Sequence, residues 1–211
     1  MQWMRRLTLL SLASLIGVAC DGSDSVGPDG GAAAPVAAPV AAQTGRAERD
    51  LHFLHPDRGA PTIANPVIRF YAKKGRRSEV SMFYHRRPGR PDSTELLRFR
   101  VDDRSLYRRP NGSLVAQGDS VLITITLVDP ARLIVKFQPA GLQFSPTRPA
   151  RLKMRYPEAN DDLSRTTEPR LRLWRQERAG GRWERQASSV SPGLDEVEGR
   201  VPGFSNFAIA Y

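Results

Sequence analysis

Cysteine and histidine are scarce in this chain of 211 residues, which has one Cys and three His. A single thiol cannot pair within the chain, which excludes a disulfide framework, and the Cys and His together are too few for an ordinary structural zinc site. Aromatic residues make up only 8%. No apolar run reaches the roughly 20 residues that a membrane-spanning helix needs. Also lacking are a Gly-x-Ser-x-Gly elbow, a His-Glu-x-x-His pair, a phosphate-cradling glycine loop and a dinucleotide fingerprint, so no enzyme class announces itself by motif. What is present is 40% hydrophobic residues, 17 Gly, 17 Pro, and 32 basic against 22 acidic side chains. That apolar content is enough for a core of moderate size and excludes disorder throughout.

The chain begins MQWMRRLTLLSLASLIGVAC: Arg5 and Arg6, then apolar and small residues from Leu7 to Ala19, then the sole cysteine, Cys20. A charged start followed by a short apolar stretch is the pattern of a secretory signal. With Gly17 and Ala19 ahead of Cys20 and the polar, turn-rich DGSDSVGPDGG behind it, the segment resembles a bacterial lipoprotein signal. The usual Leu, Val or Ile three residues before the Cys is here Gly17, with Ile16 one earlier. The resemblance implies removal of residues 1–19, lipid attachment at Cys20 and anchoring to a bacterial membrane. Each buried methylene of such acyl chains contributes about 0.8 kcal/mol, so several chains hold far more firmly than one. Asp21 resembles a retention signal for the inner membrane in some lineages and not in others, which leaves inner and outer membrane, periplasmic or surface-facing, both open. An ordinary secretory signal with an incidental Cys is the competing reading.

Residues 20–60 read as a lipid-anchored flexible linker. The Gly, Ala, Pro and Asp-rich stretch up to Asp50 has no aromatic residue and cannot offset its own ordering entropy. Its AAPVAAPVAA repeat favours extended, semi-stiff conformations, with Pro35 and Pro39 opposed to a helix. Residues 1–50 hold four basic and five acidic residues, so the excess positive charge belongs to the remainder. Such a surface attracts anionic lipid, polysaccharide or nucleic acid. Against this, 28 of the 32 basic residues are Arg, which also suits a coding bias with arginines on solvent faces. Export and the lack of an RNA-binding motif argue against nucleic acid as a partner.

From residue 61 onward, alternation with period two dominates and predicts an all-β fold, a β-sandwich of eight to ten short, mostly antiparallel strands. Val67–Tyr71 and Glu79–His85 flank the turn AKKGRR, where Gly75 can take positive φ. ELLRFRV sets Leu97, Phe99 and Val101 against Arg98 and Arg100. SVLITITLVD is the strongest strand, with Val121, Ile123, Ile125 and Leu127 inward. RLIVKF follows the turn Asp129-Pro130-Ala131, and RLKMRY points Leu152, Met154 and Tyr156 inward. RLRLWRQE and RWERQASS form a hairpin about Ala179-Gly180-Gly181, and DEVEGRV and FAIAY close the chain. Pro130, Pro139, Pro146, Pro149 and Pro157 fall near strand ends.

Over about residues 94–211 the chain resembles the ZU-five-type β-sandwich found in ankyrins, netrin receptors and bacterial surface lipoproteins. Pro139, Gly141, Leu142 and Phe144 match its P-x-G-L-x-F turn, and Phe204, Ser205, Phe207 and Ala208 its closing strand. Some members of that family cleave themselves at the Phe–Ser bond with the preceding His as base. Here that position is Gly203, so the resemblance implies no self-cleavage, and Ser205 is expected to make a sheet-edge hydrogen bond.

His52 and His55, three apart, could begin a metal site only on a helix that Pro56 opposes; solvent-exposed or turn histidines are expected. Asp102-Asp103 and Asp161-Asp162 with Asn160 are carboxylate clusters, and the latter lacks the spacing of a calcium loop. Asn111-Gly112-Ser113 is expected in a hairpin turn. Trp174 and Trp183 read as core or cross-strand residues, with a sugar platform as the minority reading. The sequence thus predicts a non-enzymatic cell-envelope lipoprotein with no catalytic residue, metal or cofactor, displaying the sandwich as a structural or interaction module. Its partners would be the membrane, through the lipid, and another envelope protein or an anionic envelope polymer or lipid. For an anionic ligand the candidate surface is Arg98, Arg100, Arg151, Lys153, Arg155, Arg170 and Arg172. A self-processing or hydrolytic enzyme is the remaining alternative.

Overall fold

A computed structural model describes residues 45–89, 93–159 and 163–211. The signal, Cys20, the Ala/Pro repeat and the Asn160–Asp162 cluster lie outside the described residues. The chain is an all-β sandwich. Its larger sheet runs in the order β1 (Val67–Lys73), β5 (Ser120–Asp129), β6 (Ile134–Gln138), β13 (Asn206–Ala210), β9 (Arg172–Gln176), β10 (Trp183–Arg185). The second sheet has the order β11 (Ser188–Ser191), β12 (Glu196–Val201), β8 (Ala150–Arg155), β3 (Glu95–Val101), β2 (Ser78–Phe83). A small pair, β4 (Leu106–Arg108) with β7 (Gln143–Phe144), accompanies them, and the strand pairs are antiparallel.

Alternation decides which side of each strand is buried. In β5, Val121, Ile123, Ile125 and Leu127 are buried while Leu122, Thr124, Thr126 and Val128 face the other way. Leu152 and Met154 of β8 and Val197 and Val201 of β12 come from the opposite sheet to meet them. Phe99, fully buried, is the centre of this layer: the rings of Phe137, Phe204, Phe144 and Phe70 lie 4.9, 5.8, 6.2 and 6.4 Å from it. Burying each such ring contributes about 1.5–3 kcal/mol, and tilted or edge-on pairing adds about 0.5–1.5 kcal/mol. β12 approaches β9 so closely at Gly199 that a Cβ there would meet Leu173 Cδ2 at 2.7 Å and Ser188 Cβ at 3.2 Å. A side chain there would force Leu173 and its neighbours to shift, so glycine lets the sheets close at that point without strain.

The structure corrects two readings of the sequence. The folded domain starts before residue 61, because Leu51, Phe53 and Leu54 are buried. β6 pairs only with Asn206 and Phe207 of β13, which leaves the far half of that strand open. The chain at 52–54 fills the gap: Tyr211 and His52 exchange backbone hydrogen bonds, and Leu54 N donates to Ile209 O. Leu51 and Phe53 thereby pack with Ile134, Trp174, Trp183, Ala208 and Ala210 in a second cluster on the outer face of the six-stranded sheet. Strands do flank AKKGRR, with Gly75 at positive φ as expected, and the turn carries the chain between sheets, since β1 pairs with β5 and β2 with β3. The second arm of the predicted Trp hairpin also divides, β10 staying with β9 and β11 crossing to β12. Pairing partners of this kind are set by packing over long sequence distances, which local alternation does not carry.

Candidate anion-binding face

The outer face of the five-stranded sheet collects charge because alternation leaves polar residues there on every strand. Cross-strand register then fixes which charges meet. One row places Arg98 opposite Ser81 and Lys153, with Lys153 opposite Glu198. The next places Arg100 opposite Glu79 and Arg151, with Arg151 opposite Arg200. Three arginines on adjacent strands are therefore side by side, an arrangement in which like charges directly opposite each other are unfavourable.

The two rows differ in how far their charge is compensated. Arg98 is gripped by Glu95, with Nε 2.9 Å from Oε1, and lies 3.8 Å from Glu79. The Glu95 carboxylate raises the Arg98 pKa. Glu79 is held below its ordinary pKa by a hydrogen bond from Arg77, against desolvation, with Arg98 and Arg100 adding to the effect. Lys153 Nζ lies 3.0 Å from Glu196, and Arg155 donates to Leu194 O from Nε and Nη2 at 3.3 and 3.1 Å. In the arginine row, Arg100 faces Asp102 at 3.1 Å and Arg151 faces Glu198 at 3.2 Å. Arg200 and Arg148 make no side-chain hydrogen bond or ion pair among the described residues. Arg148, Arg151 and Arg200 line a surface hollow of about 250 Å³ with Asp102, Thr147 and Pro149.

Five of the seven arginines and lysines predicted from sequence, Arg98, Arg100, Arg151, Lys153 and Arg155, are thus brought to one face. Arg170 and Arg172 are not. They belong to a short 3-10 turn and to β9 of the other sheet, where Arg172 Nη1 donates to Pro169 O and Leu171 O at 2.7 and 2.6 Å. Desolvation, aided by Arg185, pushes the Arg172 pKa down. Sequence reasoning missed Arg77, Arg148 and Arg200, and the acids Glu79, Glu95, Glu196 and Glu198 that neutralise their neighbours. The alternation of Glu196, Glu198 and Arg200 in DEVEGRV was the available signal.

Elsewhere the structure places the other candidates apart. His52 stacks on Tyr211 at 5.1 Å, and His55 Nδ1 lies 2.7 Å from Ala131 O. Asp102 and Asp103 turn to Arg100 and Arg104, and among the described residues no three His, Cys, Asp or Glu gather. Asn111 Oδ1 accepts from Ser113 N in the turn it was expected to make. Trp174 and Trp183 are buried in the cluster under residues 51–53, as core residues. Ser205 lies just ahead of β13, which is interior to its sheet, so its expected edge position is corrected. Its Oγ accepts from Arg175 Nε at 2.9 Å and is 3.4 Å from Asn206 O. At Gly203 a Cβ would lie 3.0 Å from the backbone oxygen of Leu142, just ahead of β7, so a larger residue would crowd the chain there. Among the described residues no helix is long and apolar enough to cross a membrane.

The chain matches no family model, no curated protein and no solved structure.

Proposed function

We propose that this chain is a non-enzymatic lipoprotein of the bacterial cell envelope, anchored through lipid on Cys20, that displays its β-sandwich as an interaction module. The N-terminal pattern supports the anchor: Arg5 and Arg6, an apolar stretch, and the sole cysteine at its end. The resemblance of residues 94–211 to ZU-five-type domains supports the display role. Ser205, the one nucleophile suggested by that resemblance, has its hydroxyl engaged by Arg175 rather than by a base, which supports the non-enzymatic reading. Growth with an alkyne fatty acid tests the anchor: the wild type carries the label and C20A does not. Intact mass of the mature chain is expected to show signal removal and acylation. A cut at Phe204–Ser205 would contradict the reading.

A second reading, that the module binds an anionic envelope polymer, is favoured by one observation. Arg100, Arg151 and Arg200 stand in register across three adjacent strands, with Arg148 beside them. A fold that gains nothing from opposed like charges is better served by a ligand that neutralises them. Binding of the full chain to polyphosphate or to an acidic polysaccharide is expected to weaken steeply with salt. Salt-independent binding would overturn this reading.

A further inference from the structure

We propose that the hollow bounded by Arg148, Arg151 and Arg200 is a site for a phosphate monoester carried on a sugar. The inference rests on the second reading above and names its ligand.

Charge sets the chemical class. The hollow is lined by three guanidinium groups, from Arg148, Arg151 and Arg200, and by the carboxylate of Asp102, while Glu198 of the neighbouring strand lies against Arg151 from outside the lining. Both carboxylates are already engaged, by Arg100 and Arg151 respectively. The remaining excess of two positive charges matches a phosphate monoester, which carries about −1.5 to −2 at neutral pH, better than a single carboxylate. Geometry agrees. Strands about 4.8 Å apart put Arg151 and Arg200 side by side as direct cross-strand partners, and Arg148 lines the same hollow. Three planar, fork-shaped side chains on one hollow can reach a single tetrahedral anion from several directions. The hydroxyl of Thr147 lies on the same wall.

The neighbouring surface sets what carries the phosphate. A second hollow, of about 440 Å³, shares Arg151 and Arg200 with the first and is otherwise lined by Ala187, Ser188, Ser189, Glu198 and Gly199. Ser189 and Glu198 are directly opposite each other on β11 and β12. A hydroxyl and a carboxylate so placed suit the hydroxyls of a sugar. A phosphate seated at Arg148 with its sugar toward Ser189 would reach from one hollow into the other.

Titration of the full chain in detergent with glucose 6-phosphate, inorganic phosphate, glucuronate and glucose tests this. Glucose 6-phosphate is expected to bind at least about tenfold more tightly than glucuronate or inorganic phosphate. The R148Q/R200Q variant is expected to lose at least about tenfold, and R170Q/R172Q nothing, with a cooperative thermal transition in each variant confirming that it is folded. S189A is expected to weaken glucose 6-phosphate but not inorganic phosphate. Equal binding of glucuronate, or equal loss in R170Q/R172Q, would overturn the proposal, as would preferential binding to phosphatidic acid vesicles. If acidic polymers bind and glucose 6-phosphate does not, this proposal fails and the polymer reading stands. If neither binds at low salt, both fail.

Discussion

The arginine row makes a claim about stability as well as binding. If Arg200 stands beside Arg151 to serve a ligand, it destabilises the free domain, and R200E is expected to stabilise it. The pair are direct cross-strand neighbours, for which the interaction of like charges costs about 0.2–1 kcal/mol. Coulomb's law gives the same scale, about 0.7 kcal/mol for charges 6 Å apart in water. Reversing the sign removes the repulsion and adds an attraction, so R200E should gain about 1 kcal/mol and R200Q about half of that. Arg200 is exposed and holds no ion pair among the described residues, so little packing is lost. For a domain of this size 1 kcal/mol corresponds to about 2–4 °C in Tm. Thermal unfolding at about 0.01 M salt should show the gain, and at about 1 M salt, where screening acts within about 3 Å, the gain should largely vanish. A loss of stability at low salt, or a gain insensitive to salt, would refute the reasoning.

Three further outcomes follow from the fold. F53A removes a buried ring that meets Trp183 edge-on at 5.2 Å, and it should cost about 3 kcal/mol in denaturant unfolding, whereas a flexible linker residue would cost nothing. G199A places a Cβ against Leu173 and should destabilise by about 1–3 kcal/mol, read from the urea midpoint. Arg132 bridges Glu48 and Asp129. Its hydrogen bond holds the Glu48 pKa down against desolvation; at Asp129 burial acts to raise the pKa, but the Arg132 hydrogen bonds prevail and the net direction is down. Depressed carboxylate pKa values contribute stability above the ordinary carboxylate range and lose it as pH falls through the folded values. R132Q should therefore be less stable than wild type by about 1 kcal/mol at pH 7, and the difference should close in acid as pH falls through the lowered folded values. A gap that persists in acid would assign Arg132 a packing role instead.

Strand faces were legible in the sequence wherever the two faces differ chemically. RLKMRY shows this, since apolar and polar residues alternate there without a break; in SVLITITLVD the threonines mark the outward face although Leu122 and Val128 share it, and in both a one-residue slip would expose the inward apolar set. The docking of LHFL was not legible, because four residues carry no period and the segment gains its place only from the open half of β13. The charged face was legible strand by strand as outward arginines on β3 and β8. Its meaning was not, because Arg100, Arg151 and Arg200 are about 50 residues apart in the chain and become neighbours only through the order β3, β8, β12. The same pairing shows that Arg98 and Lys153, equally prominent in the sequence, are neutralised by Glu95 and Glu196.

The central claim is that the basic surface is one organised face and not a scatter of arginines. Side-chain Nε–H resonances of the full chain, followed by NMR during titration with polyphosphate at low salt, test it most directly. The account predicts shifts at Arg148, Arg151 and Arg200, smaller ones at Arg98, and none at Arg170 or Arg172. Equal shifts at Arg170 and Arg172, or small shifts spread over all arginines, would contradict it.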